Sequence, residues 1–380
     1  MIPYGRQSVD EADIEAVVAV LRSDWLTQGP AIERFEAAMA ARCATDHGVM
    51  VCNATAALHI ACLAAGLGSG DWLWTTPNTF LASANCGLYC GAQVDFVDID
   101  PLTWNLSASA LALKLERAER EGRLPKVVVA VAFAGQSCDM AAIAGLARRY
   151  GFTLIEDASH AVGASYQGQP VGSGEYADMT VFSFHPVKII TTAEGGIVMT
   201  RHGHLAERLR RLRCHGMTRD PAMMTEPAHG PWYYQQIELG FNYRATDIQA
   251  ALGVSQLARL DGFLARRRAL AAGYDVALAG LGLGLPSLQE GADSAWHLYV
   301  VRVPERRGEV FTALRAAGIG VNVHYIPVHL QPFYRTLGFG PGDFPEAEAY
   351  YSESLSLPLY PGLTAAEQQY ITQTLARALA

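Results

Sequence analysis

Three short stretches carry residues that could do chemistry together. Glu156-Asp157-Ala158-Ser159-His160 closes one apolar run, Ser183-Phe184-His185-Pro186-Val187-Lys188 closes another, and Asn53-Ala54-Thr55-Ala56 follows a third. An aspartate, a lysine and a helix start bearing a hydroxyl are the groups that pyridoxal phosphate needs. The Lys188 amine can form a Schiff base with the cofactor aldehyde once its pKa is lowered. Asp157 can pair with a protonated pyridine nitrogen and keep the ring an electron sink. Amides at Ala54, Thr55 and Ala56, the Thr55 hydroxyl and the positive helix end suit the phosphate. Ser183 is a further phosphate donor, and Phe80, in Pro77-Asn78-Thr79-Phe80, offers a ring to stack on the cofactor. Taken singly, a strand-end Asp is commonly a cap and a Lys a solvated charge. Their common position is what carries the reading.

That position depends on the elements around them. Apolar runs at Gly48–Cys52, Trp72–Thr75, Val94–Val97, Val127–Ala132, Thr153–Ile155, Thr180–Phe184 and Gly196–Thr200 read as buried strands. Helical stretches such as Ala54–Ala65 and Ala141–Tyr150 separate most of them. Asp10 can cap a helix whose apolar positions are Ile14, Val17, Val18 and Leu21. Apolar strands alternating with helices predict an α/β fold with a mostly parallel central sheet flanked by helices. Ligands of such sheets sit at the carboxyl ends of the strands, where the three stretches fall. A long helix is expected over Ala245–Leu260, and the pattern changes after Arg266-Arg267-Arg268. Strands at His297–Val303 and Gly320–His324, with helices at Glu309–Ala317 and Ala365–Leu379, make a smaller α+β C-terminal domain. The division expected is 1–260, with the N-terminal segment, and 261–380. The Gly-Leu-Gly-Leu-Gly run at 280–284 lacks a strand-then-helix context and reads as a loop.

Composition narrows the function classes. With 380 residues, half apolar and 17% charged, the chain can bury a sizeable core and is not disordered. A net charge of −8 argues against nucleic acid or an anionic membrane as partner. Seven scattered cysteines without a Cys-x-x-Cys pair fit reduced thiols, and no secretion signal or spanning run is visible, so a cytoplasmic protein is expected. His324 and His329 are five apart, which is poor metal-ligand spacing, and no metal is expected. Either packs in a loop or touches substrate. Arg244 could hold a carboxylate or diphosphate. Arg208, Arg210, Arg211 and Arg213 read as a solvated helix face.

Several of these motifs carry a resemblance. Asn-Ala-Thr-Ala-Ala-Leu at 53–58, Glu-Asp-Ala-Ser-His-Ala at 156–161 and Ser-Phe-His-Pro-Val-Lys at 183–188 resemble the DegT-type sugar aminotransferases. So do Thr-Thr-Ala-Glu-Gly-Gly at 191–196 and Gly-Phe-Asn-Tyr-Arg-Ala-Thr-Asp-Ile-Gln-Ala-Ala-Leu-Gly at 240–253. The similarity covers nearly the whole chain. It implies the aspartate-aminotransferase type fold (fold type I), pyridoxal phosphate with pyridoxamine phosphate as intermediate, and a nucleotide-linked keto-sugar as substrate. Residues 23–30, 230–234 and 323–332 look most like the pseudaminic-acid pathway branch. Those aminotransferases move an amino group from L-glutamate to C4 of a UDP-linked 4-keto-6-deoxy-N-acetylhexosamine. The resemblance implies a homodimer in which Asn242 reaches the cofactor phosphate of the neighbouring subunit. It places His160 near the ring, and Thr27, Tyr243, Arg244, His324, Tyr325 and His329 as substrate contacts.

Pyridoxamine-dependent sugar dehydratases of the same fold carry His in place of the Schiff-base lysine, and Lys188 counts against them. Amination of a dTDP- or GDP-linked keto-sugar is the nearest alternative. A non-catalytic regulator on this scaffold would have no need of the intact constellation.

Overall fold

The computed structural model describes all 380 residues. Its centre is a seven-stranded sheet of β1 (His47–Val51), β2 (Trp72–Thr75), β3 (Gln93–Phe96), β4 (Val127–Val131), β5 (Thr153–Asp157), β6 (Met179–Ser183) and β7 (Gly196–Thr200). The strand order is β1-β7-β6-β5-β4-β2-β3. The pairings among β6, β5, β4, β2 and β3 are parallel, and β7 runs antiparallel to both neighbours. β1 therefore points the same way as β6. The carboxyl ends of β1, β5 and β6 share one edge, as the alternation of apolar runs predicted.

Strand residues alternate between two buried faces. Val49, Val51, Val129, Ile155 and Val181 join one core, against α3 (Ala54–Ala64) and α4 (Ala82–Tyr89). Met50, Phe182, Ile197 and Met199 face the other way, toward α2 (Pro30–Cys43) and α5 (Asp247–Ala258). Asp10 caps α1 (Glu11–Leu21) in a capping box with Asp13. Asp13 is itself buried and bonded to Gln256 Nε2 at 2.6 Å and to Arg259, which pins α1 onto α5.

The long helix breaks at Arg259 and continues as α6 (Leu260–Leu278), so its pattern persists well past the arginine run. Beyond it a separate core gathers Leu270, Tyr274, Leu278, Val301, Leu314, Leu355 and Leu375. It lies between α6, the antiparallel pair β8 (Tyr299–Arg302) and β9 (Ser354–Leu357), α7 (Arg307–Ala316) and α8 (Ala365–Leu379). The strand expected at Gly320–His324 does not form. Ile319 and Asn322 make only isolated bridges, to Ile2 and Ser356. Residues 2–4, expected with the large domain, instead exchange backbone bonds with Gly318, Gly320 and Leu359. The Gly280–Gly284 run is a loop, whose Gly284 pairs with Arg302. Arg213 departs from the expected solvated face: it turns inward to Glu36 at 2.5 Å and the Met50 carbonyl at 2.6 Å. No helix is long and apolar enough to cross a membrane.

Candidate active site

A cavity of about 590 Å³ opens at the shared carboxyl edge of β1, β5 and β6. Ala54, Thr55, Phe80, Asp157, His160, Ser183, Lys188, His324 and Tyr325, all expected from sequence, line it. Asp157 ends β5 on the α4 side of the sheet and is 5% exposed. Its Oδ2 accepts from Ser83 Oγ at 2.7 Å, and its Oδ1 accepts from Ser159 N at 3.1 Å and Oγ at 2.6 Å. Ser83 in turn meets Thr79 Oγ1 at 2.7 Å. Such a network fixes the carboxylate while one turn of its surface faces the cavity. Glu156, its sequence neighbour, points to the opposite face. There it binds Ser137 and Thr180, and burial pushes its carboxyl up to about 7.

Lys188 projects from the loop after β6. Burial lowers its pKa to about 8, and the Asp157 charge partly offsets that fall. A substantial neutral fraction near pH 8 is what a nucleophilic or proton-carrying lysine needs. The pKa directions of the surrounding histidines are consistent with this. Burial first, and Lys188 second, hold His160 well below the imidazole range and His324 at about 3, so both are neutral. Ala134 N–H donates to His160 Nδ1 at 3.3 Å. The His160 proton is thereby placed on Nε2, which donates to the Tyr325 hydroxyl oxygen at 3.1 Å.

The anion cradle is narrower than expected. Asn53 caps α3, and its Oδ1 accepts from Ala56 N at 2.9 Å. Ala56 is therefore already satisfied and lies outside the cavity lining, leaving the Ala54 and Thr55 amides and the Thr55 hydroxyl for a phosphate. Gly196 makes this geometry possible. It pairs with both Val51 and Ser183, and a Cβ there would lie 2.6 Å from the Ala54 nitrogen. Gly196→Ala is expected to cost about 1–3 kcal/mol of stability and to weaken cofactor binding. Thermal unfolding and cofactor titration check both.

Other expected contacts fall elsewhere. His329 is a correction: it is fully buried and bonded to Glu348 Oε1 at 2.9 Å, between Phe96 and Phe344, so no face is left for substrate. Within its own chain, Asn242 is exposed and bridged to Cys214. Thr27 is exposed and bridged to Thr246. The Tyr243 hydroxyl meets His59 Nδ1 at 3.2 Å, and Arg244 Nη1 reaches Cys214 Sγ at 3.3 Å. None of these four lines the cavity.

Tyr4, Ser159, Glu194, His297 and Asn322 line it without having been expected. Ser159 was legible as a local Asx-type partner of Asp157. Tyr4, His297 and Asn322 arrive from distant segments and carried no local signal. No group of His, Cys, Asp or Glu is arranged to hold a metal ion.

The donor set fits pyridoxal phosphate: an amine of lowered pKa, a buried carboxylate locked from behind, and free amides at a helix start. The comparisons agree with that fit. Residues 7–376 match the DegT/DnrJ/EryC1/StrS aminotransferase family. Spore coat polysaccharide biosynthesis protein SpsC of Bacillus subtilis is 40% identical, covering 96% of this chain and 93% of that protein. The UDP-4-amino-4,6-dideoxy-N-acetyl-beta-L-altrosamine transaminase of Campylobacter jejuni is 36% identical, covering 99% and 96%. The putative sugar aminotransferase Spr1654 of Streptococcus pneumoniae, in its PMP form, superposes with a TM-score of 0.90 at 31% identity, covering 100% and 99%. The fold is thus the type I aminotransferase fold, and the chain belongs to the DegT/DnrJ/EryC1/StrS family as a pyridoxal-phosphate-dependent sugar aminotransferase.

Proposed function

We propose that this protein transfers the amino group of L-glutamate to C4 of a UDP-linked 4-keto-6-deoxy-N-acetylhexosamine. The observation that carries the substrate reading is the 36% identity to the Campylobacter jejuni altrosamine transaminase over nearly the full length of both chains. The likeness to Helicobacter pylori PseC, an aminotransferase involved in the biosynthesis of pseudoaminic acid, adds to it, with a TM-score of 0.90 at 29% identity. The 40% identity to SpsC, a spore coat polysaccharide biosynthesis protein, keeps a second reading in play, amination of a different nucleotide-linked keto-sugar, dTDP- or GDP-linked, on which that name is silent.

Bound pyridoxal phosphate supplies a carbonyl that condenses with amines and a ring that delocalises the electron pair left by a departing proton. The residues of this chain do the rest. The Lys188 amine, with a pKa of about 8, would anchor the cofactor, take the proton from the donor's carbon in one half-reaction and deliver a proton to the sugar carbon in the other. Asp157, which lines the cavity, would hold negative charge against a bound ring's nitrogen. Ala54 and Thr55 bind the phosphate, Phe80 flanks the cavity mouth at 59% exposed, and neutral His160 and His324 add no competing positive charge. His324 and Tyr325 contact the sugar.

Only the neutral amine condenses. Capture of pyridoxal phosphate by the cofactor-free protein should therefore accelerate with pH, about tenfold per unit below about 8, and level off above it. Stopped-flow absorbance checks this; a rate independent of pH between about 6 and 8 would contradict the Lys188 assignment.

The active unit is a homodimer in which Asn242 of one subunit reaches the phosphate held by the other. The exposed position of Asn242, outside its own cavity, supports this reading, as do exposed Trp232 and Leu239 nearby. Asn242→Ala is expected to weaken cofactor retention by about tenfold, one lost charge-assisted bond, while sedimentation shows a dimer. A monomeric, fully active protein would remove the shared-site reading. The substrate is tested by mass spectrometry of products from UDP-, dTDP- and GDP-linked 4-keto-sugars with glutamate. Amination of only a dTDP- or GDP-linked sugar would sink the UDP assignment.

A further inference from the structure

The side chain of Arg267, on α6, is 1% exposed, and burial lowers its pKa only to about 10, so it is charged at neutral pH. Its hydrogen bonds go to backbone oxygens and not to a carboxylate. A single nitrogen, Nη1, donates to the carbonyls of Trp296 at 3.2 Å, His297 at 3.3 Å and Leu359 at 3.0 Å. A buried guanidinium held only by carbonyls costs more than an apolar side chain of the same volume. What it provides is a junction, because Trp296–His297 leads into β8 and Leu359 follows β9.

Both segments lead to the cavity. His297 lines it, and its ring lies 4.4 Å from that of His160. The N–H groups of Ala295 and Leu298 donate to the carbonyls of Gly135 at 2.9 Å and Ala134 at 3.2 Å. Ala134 is in turn the donor to His160 Nδ1. The Leu359 N–H donates to the Tyr4 carbonyl at 3.0 Å, and the Tyr4 ring lies 5.4 Å from that of His324. Trp296 has a φ of 49°, in the left-handed region that bulky side chains avoid, so this turn needs support from outside its own backbone. Arg267 supplies that support at the carbonyls of Trp296 and His297. Asp157, by contrast, is held by Ser83 and Ser159.

We propose that Arg267 is a positioning residue for substrate: by tying the Trp296–His297 turn to the Leu359 segment, it sets His297 and Tyr4 against the cavity. It touches neither cofactor nor substrate. Loss of the junction lets this wall relax, while Asp157 and the Ala54 and Thr55 amides keep their places. The enzyme then binds substrate more weakly but still loads pyridoxal phosphate.

The test compares wild-type holoenzyme with Arg267→Met, which keeps an apolar stem and removes the charge and donors, and with Arg267→Lys, whose ammonium offers three hydrogens from one nitrogen. L-amino acids are first screened on wild-type protein for bleaching of the lysine-linked cofactor. Glutamate failing that screen counts against the donor proposed above, on which this inference does not depend, and the comparison uses the amino acid that succeeds. Arg267→Met should take up pyridoxal phosphate to the wild-type extent, while the donor concentration for half-maximal bleaching rises about tenfold. Arg267→Lys should recover most of that loss. In a His297→Ala background the Arg267→Met penalty should shrink from about tenfold to about threefold or less, since the side chain it positions is gone. A folded, loaded Met variant with wild-type half-saturation overturns the proposal, and so does a penalty fully additive with His297→Ala. A smaller folded fraction with unaltered half-saturation in the remainder also overturns it, because that is all a merely structural arginine would produce. Should Arg267→Met not fold, Arg267→Gln, a shorter uncharged donor, takes its place in the same cycle.

Discussion

Lys188→Ala should reduce transamination by at least about 10⁴-fold, since it removes both the covalent anchor and the proton carrier. No neighbour can replace it. Burial alone leaves His160 and His324 as weak bases with lowered pKa and no amine to anchor a cofactor, and it pushes Tyr325 far above its ordinary range. The variant should fold, because the Lys188 side chain enters the cavity and burial of its charge is unfavourable. The measurement is twofold. Wild-type protein with pyridoxal phosphate should show the visible absorbance of a lysine-linked cofactor, bleached by glutamate if glutamate is the proposed donor, and the variant should show neither property. A variant that retains glutamate-dependent bleaching would show that another amine carries the chemistry.

Asp157→Asn should lower the rate by about 10²–10³-fold while the protein still binds cofactor, because the shape survives and the charge does not. A ring nitrogen bound beside residue 157 would then lack the anion that favours its protonation. The same substitution has a second signature. The Asp157 charge is what partly restores the Lys188 pKa, so its removal should move the break in the capture profile below about 8. A fall in rate without that displacement would mean that the carboxylate acts only on the ring. Asp157→Ala serves as the contrast: it strands the Ser83 and Ser159 hydroxyls and should cost about 1–3 kcal/mol of stability besides. Thermal unfolding of the two variants separates the charge from the packing.

Two neighbouring carboxylates show how much a local pattern contains. In Glu156-Asp157 both residues could have served as the ring partner by type alone. Period-2 alternation places Asp157 on the face of Ile155, toward α3 and α4, and Glu156 on the face of Leu154. Assigning Asp157 was thus possible from the strand pattern together with the family motif. What locks it was not legible. Ser83 lies 74 positions away, and only the packing of α4 against the sheet brings its hydroxyl to Oδ2.

The helix start at Asn53 shows the same division on a smaller scale. A strand followed by Asn-Ala-Thr-Ala announces a capped helix aimed at the sheet edge. That the cap consumes the Ala56 amide, and so removes it from the anion cradle, is a matter of side-chain direction. His324 and His329 make a sharper case. They sit five residues apart in one motif, yet one lines the cavity and the other is sealed against Glu348.

By itself the sequence determined the alternating sheet, the edge at which the cavity opens, and the lysine and aspartate that line it and carry the proposed chemistry. Those follow from periodicity and strand ends, which are local. The tertiary structure alone decided which amides remain free, which histidine meets the cavity, how Ser83 anchors Asp157, and that Tyr4, His297 and Asn322 close the site. These depend on contacts across tens to hundreds of residues. Their direction is set by how helices and loops pack on the sheet, and no spacing along the chain encodes it.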